Sequence, residues 1–165
     1  MPSPGLERTV RQSVLDRLVD LEPKASADRQ KTWEQSVREL KQSLLRDLDW
    51  LFNTRRIAQP APDEYSELQR SVYHFGLIDI TSLSGDSELV RRQLTREIEE
   101  AVRQFEPRLD DVRVTLRERD EENRRQIRFH VEGLLRMEPN PERIAFDTVL
   151  ETSSGEFLLA DEPHA

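Results

Sequence analysis

Apolar residues recur every three or four positions in the N-terminal part of the chain and every second position in the C-terminal part, with the change at Phe105-Glu106-Pro107-Arg108. Val10, Val14, Leu15, Leu18 and Leu21 outline a short amphipathic helix stopped by Pro23, packed on its own domain or docking a partner. Trp33, Val37, Leu40, Leu44, Leu48 and Leu51 outline the strongest helix, expected from Asp28 to Asn53 and then about 39 Å long at about 1.5 Å per residue. Asn53 reads as its left-handed terminator, and Arg55-Arg56 just beyond favour the negative end of its dipole. Leu68, Val72 and Phe75 predict a brief helix capped by Asp63 and ended at Gly76. Val90, Leu94, Ile98, Ala101 or Val102, and Phe105 predict another long helix, with Ser84 and Asp86 as candidate caps.

Pro107 lacks an amide donor and disfavours helical geometry at the residue before it, so this helix should end at about Glu106. Beyond it, Val112, Val114 and Leu116 alternate with Arg113, Thr115 and Arg117, and Ile127, Phe129 and Val131 alternate with Arg128, His130 and Glu132. This predicts a hairpin. Gly133 reads as a bulge or bend, Ile144 to Leu150 as a third strand, and Glu156 to Leu159 as a short fourth segment. Helices followed by antiparallel strands make an α+β domain, with N-terminal helices packed on a small C-terminal sheet. Phe105 is the expected core anchor at the junction of the two layers.

The 165 residues suffice for one core, and the expected division is a flexible N-terminus with a short helix (1–27), one α+β domain (28–160) and a disordered tail (161–165). Charged residues make up 35% and the net charge is −8, which argues against nucleic acid or an anionic membrane as the main partner. The start of the chain lacks a secretory pattern and no stretch is apolar enough to span a bilayer, so a cytoplasmic protein without membrane insertion is expected. There is no cysteine for a disulfide or thiolate site.

Candidate chemistry is sparse. The sequence has no glycine-rich phosphate loop, nucleophile elbow or HExxH helix, and its three histidines, at 74, 130 and 164, are scattered. His74 reads as structural or solvated rather than as a metal ligand. No catalytic, cofactor-binding or metal-binding residue is therefore assigned, and no cofactor is implied. Carboxylates are plentiful, but none stands out as the pair that glycoside hydrolysis requires.

Three strings stand in an informative order: Arg46-Asp47-Leu48-Asp49-Trp50-Leu51-Phe52-Asn53-Thr54-Arg55-Arg56, then Ser71-Val72-Tyr73-His74-Phe75-Gly76-Leu77-Ile78-Asp79, then Phe105-Glu106-Pro107-Arg108-Leu109 with Val112-Arg113-Val114. Together with Glu132-Gly133-Leu134-Leu135 and Phe146-Asp147-Thr148-Val149-Leu150, they give a chain that resembles the TssE family from about Ser13 to Phe157. TssE proteins are baseplate subunits of bacterial type VI secretion systems, related to the wedge protein of contractile phage tails. The resemblance implies a structural, non-enzymatic subunit that joins TssF and TssG beside TssK in a cytoplasmic baseplate and starts the TssB/TssC sheath. A lysozyme-like peptidoglycan hydrolase is the alternative, since some relatives are described as lysozyme-related.

In that family the Glu-Pro-Arg corner is the signature, which implies partner binding at Glu106, Pro107 and Arg108; Arg55 and Arg56 are further candidates. If Glu106 and Arg108 form an exposed pair, it contributes about 0–1 kcal/mol. If the pair is buried, losing one partner costs about 3–5 kcal/mol. The sheet, over residues 111–152, is expected to offer an edge on which the first sheath ring forms.

Overall fold

The computed structural model describes residues 13–19, 32–62, 64–79, 87–117 and 125–161, with side chains as far as Leu159. The expected caps Asp63, Ser84 and Asp86 and the expected helix segment before Ser13 lie outside the described residues. The elements are helices α1 (Val14–Leu18), α2 (Trp33–Asn53), α3 (Ser66–Gln69) and α4 (Glu88–Phe105), then strands β1 (Leu109–Leu116), β2 (Gln126–Leu135), β3 (Glu142–Glu151) and β4 (Glu156–Asp161). The fold is α+β, with helices preceding a four-stranded antiparallel sheet of order β1-β2-β3-β4.

α2 begins at Trp33, later than the Asp28 expected, because Thr32 and Gln35 form a reciprocal cap. The Thr32 hydroxyl accepts the Gln35 N–H at 3.3 Å and the Gln35 side chain accepts the Thr32 N–H at 3.1 Å. Its buried stripe of Leu40, Leu44, Leu48, Leu51 and Phe52 meets Leu94, Ile98, Ala101 and Val102 of α4. Both stripes cover the inner face of the sheet, which contributes Leu109, Val112, Val114, Ile127, Phe129, Val131, Leu135, Phe146, Leu150 and Phe157. Burying each such large side chain is worth about 1.5–3 kcal/mol, so this two-layer core is the main stabilising term.

Three expectations change. The brief helix around Leu68 is broken into α3 and a separate 3-10 turn at Val72–His74, and Val72 faces solvent instead of sharing a buried face with Phe75. Phe105 is only partly buried, because the last turn of α4 carries it off the central stripe and against Phe75, edge to face at 5.3 Å. Ile98 and Val102, fully buried, anchor α4 instead. Gly133 is not a bulge; it pairs in register with Ile144. The irregularity lies opposite, in β1 between Asp110 and Arg113, where Asp111 has φ 50°. A Cβ on Gly133 would lie 3.3 Å from the Asp110 carbonyl oxygen, so Gly133 leaves room for the neighbouring strand to deviate.

Gly76 does end its segment as expected, with φ 105°. A Cβ there would sit 2.3 Å from the Thr54 carbonyl oxygen. That close approach lets Leu77 donate to Thr54 (2.9 Å) and accept from the Arg56 N–H (2.8 Å), tying the end of α2 to the connection that leads to α4.

Candidate functional site

α4 stops at Phe105, as the proline predicts, and Glu106 caps it with its N–H on the Val102 carbonyl at 2.9 Å. Glu106 is 4% exposed, so its side chain turns inward. Its carboxylate accepts the Arg108 backbone N–H at 3.1 Å, Arg108 Nε at 2.7 Å, and a short bond from Arg108 Nη2. Pro107 lies exposed between them, and Leu109 begins β1 with its N–H on the Glu106 carbonyl at 3.1 Å. The Arg108 carbonyl accepts the Arg136 N–H at 2.8 Å, extending the pairing with β2 back to the corner.

Arg108 also reaches α2, donating through Nη1 to Ser43 Oγ at 2.9 Å and through Nη2 to Asp47 Oδ2 at 2.6 Å. Burial alone would lower its pKa; the hydrogen bonds and charge of Glu106, then those of Asp47, raise it above the ordinary value. The pair is thus a buried Glu106 holding a half-buried Arg108 rather than two exposed charges, and the corner joins three elements: α4, β1 and α2.

The same polar cluster reaches α1. Ser13 caps α1, its Oγ accepting the Asp16 N–H at 3.1 Å. Asp16 accepts from Ser43 Oγ at 2.7 Å and from Arg46 Nη2 at 2.7 Å. Arg46 in turn binds Asp47 Oδ1 at 2.9 Å and lies over the Trp50 ring. Burial pushes the Asp16 carboxyl up, but the bonds from Ser13, Ser43 and Arg46 and the Arg46 charge outweigh it and hold the group at about 2, against an ordinary 3.8.

Arg55 and Arg56 do not form one site. Arg55 donates to the Gly155 and Ser154 carbonyls at 3.2 Å each, clamping the β3–β4 turn, whereas Arg56 binds Glu97 of α4 at 2.9 Å. Glu97 and Arg56 line a shallow cleft with His74, Glu100 and Gln104. His74 Nε2 accepts the Ala61 N–H at 3.4 Å. Among the described residues no group of His, Asp and Glu is placed to hold a metal ion, and no helix is long and apolar enough to cross a membrane.

The two sheet edges are treated differently. On β1, the Val112 carbonyl accepts from Arg103 Nη2 at 3.0 Å and the Val114 N–H donates to Glu99 Oε2 at 3.1 Å; Arg103 and Glu99 pair with each other at 2.7 Å. α4 side chains therefore stand where another strand would pair. On β4, Asn53 accepts the Phe157 N–H at 2.9 Å and donates to the Phe157 carbonyl at 3.0 Å, copying one residue of a neighbouring strand. Asn53 is accordingly not the left-handed terminator expected: the turn out of α2 is made at Thr54 in extended geometry, and Asn53 serves the sheet.

Its proline and charges mark the corner in the sequence. Asp16, Ser43, Asp47 and Asn53 carry no such mark as partners, because their contacts join residues far apart in the chain and leave no local spacing to detect.

No curated protein matches the chain. Among solved structures, a chain of "The baseplate complex from the type VI secretion system" is similar to it at 18% identity and a TM-score of 0.47, covering 68% of this chain and 94% of that one. Residues 38–140, more than half of the chain and including both α2's core stripe and the corner, match the family described as baseplate wedge protein gp25, and the chain belongs to that family.

Proposed function

We propose that this wedge protein is the TssE-type subunit of a type VI secretion baseplate, working in the cytoplasm, where it joins TssF and TssG beside TssK and starts the TssB/TssC sheath. The family is one of structural baseplate proteins. The observation that carries the finer reading is the sheet, held as one layer on α2 and α4 and ending in an edge strand, β4, that among the described residues Asn53 covers at Phe157. Antiparallel alternation puts the main-chain groups of Leu159 on the same outward side as those of Phe157. A strand from a sheath subunit pairs there through main-chain bonds.

This moves the template within the sheet. Among the described residues of 111–152, the edge strand is β1, and α4 seals it at Val112 and Val114; β2 and β3 lie inside the sheet. At the corner, Pro107 and the outer part of Arg108 face the wedge neighbours, while the buried Glu106 sets the posture of Arg108. Arg55 and Arg56 add cationic surface beside the β3–β4 turn and α4 respectively. Residues 28–160 act as the wedge unit.

Co-purification tests the assignment. The chain expressed with TssF and TssG should be retained with them as a stable complex, and the purified chain should release no soluble fragments from peptidoglycan. A chain that hydrolyses peptidoglycan and is not retained would overturn it.

A further inference from the structure

α1 sits on the domain by its polar side. None of its residues is buried; Val14 and Leu18 are 72% and 77% exposed, and Leu15 and Val19 are exposed as well. The residue that faces the domain is Asp16, held by Ser43 and Arg46 of α2. A five-residue helix is far below the length that sustains itself in water, and among the described residues α1 is held by the Ser13 cap and the Asp16 anchor. Helix seating that rests on a few polar contacts, without apolar burial, lies close to balance and responds to small changes at the anchor.

The anchor belongs to a closed circuit. Asp16 binds Ser43, Ser43 binds Arg108, Arg108 binds Asp47, Asp47 binds Arg46, and Arg46 returns to Asp16. Arg108 does not bond Asp16, yet it is linked to both α2 groups that do, to Ser43 directly and to Arg46 through Asp47. The Ser43 hydroxyl has a single proton: with Arg108 donating to its oxygen, that proton is left for Asp16. Asp47 is shared between Arg108 and Arg46; without Arg108 both Asp47 oxygens become available to Arg46 and draw it from Asp16.

We propose that α1 is a releasable strap whose seating is coupled, through Ser43 and the Arg46–Asp47 pair, to the Glu106–Arg108 corner. A closed corner holds α1 down with its apolar residues outward; a corner whose arginine is drawn elsewhere lets α1 go. This coupling concerns the free subunit and goes beyond the wedge assignment.

Amide hydrogen exchange on the full chain tests it. The Arg17 and Val19 N–H groups, bonded to the Ser13 and Leu15 carbonyls, report seating, and the core amides of Ile98 and Phe129 report global opening. In Arg108→Lys, which keeps the charge but loses the fork, the α1 amides should exchange about tenfold faster, with a smaller change in the core. Linkage requires the reverse effect, so Asp16→Asn should speed exchange of the Arg108 Nε proton about tenfold. If Arg108→Lys does not fold, Glu106→Gln/Arg108→Met removes both partners without stranding a charge and should give the same α1 result. Unchanged α1 exchange in the folded variant, an Arg108 Nε proton indifferent to Asp16→Asn, or α1 amides already unprotected in the wild type would each overturn the proposal.

Discussion

Glu106→Ala should lower the unfolding free energy by about 3–5 kcal/mol, toward the lower end because its partner Arg108 keeps some contact with water. The substitution removes the acceptor of three Arg108 hydrogen bonds, one of them from the backbone, at the residue where α4 becomes β1. Arg108 keeps Asp47 and Ser43, but its Nε and main-chain N–H lose their partner. Urea titration checks this: the midpoint should fall with little change in slope, the signature of lost stability rather than a changed unfolded state. Glu106→Gln, which retains an acceptor but not the charge, should cost less. A Glu106→Ala midpoint equal to wild type would mean that the buried carboxylate contributes nothing to the corner.

Phe129→Ala should be of similar size, about 3–5 kcal/mol, for a different reason. Phe129 is fully buried at the centre of β2, opposite Thr148 of β3 and Leu116 of β1. Its ring lies 6.4 Å from that of Phe157, which lies 5.6 Å from that of Phe52, so aromatic packing runs from the middle of the sheet across β4 to α2. Removing the first ring leaves a cavity that its β-sheet neighbours cannot close without breaking register. Calorimetry should show a lower Tm, and retention by the wedge neighbours should fall only in proportion to the folded fraction. Loss of binding beyond that proportion would place Phe129 at a contact surface, against its burial.

Phe129 and Glu106 differ in how far each can be read from the chain. Phe129 is legible: period-two alternation marks it as inward-facing, and the same logic gives the strands and the stripes of α2 and α4. The stop at Glu106 is legible too, because proline acts on its immediate neighbour. What Glu106 and Arg108 do is not, since their setting depends on Ser43 and Asp47, which fold against them from another helix. Asn53 depends on the tertiary fold more than any of these. Its position after an apolar stripe suggests a helix terminator, and only the arrival of β4 makes it a main-chain mimic for Phe157. Helix caps show the same limit at shorter range: the Thr32–Gln35 box carries a readable signature, whereas Ser87 occupies the cap position of α4 without making the bond.

If β4 starts the sheath, Leu159 is the position that decides it, because its outward main-chain groups lie beyond the reach of the Asn53 cap. Proline there removes an outward N–H and leaves the inward ladder bonds of Glu156, Leu158 and Ala160 to β3 in place. The measurement is the number of sheaths formed on reconstituted baseplates carrying Leu159→Pro, alongside the Tm of the isolated variant. The expected result is a folded subunit, retained with its wedge neighbours, on which sheaths rarely begin; sheaths beginning at the wild-type frequency on a folded Leu159→Pro subunit would rule out β4 as the starting edge.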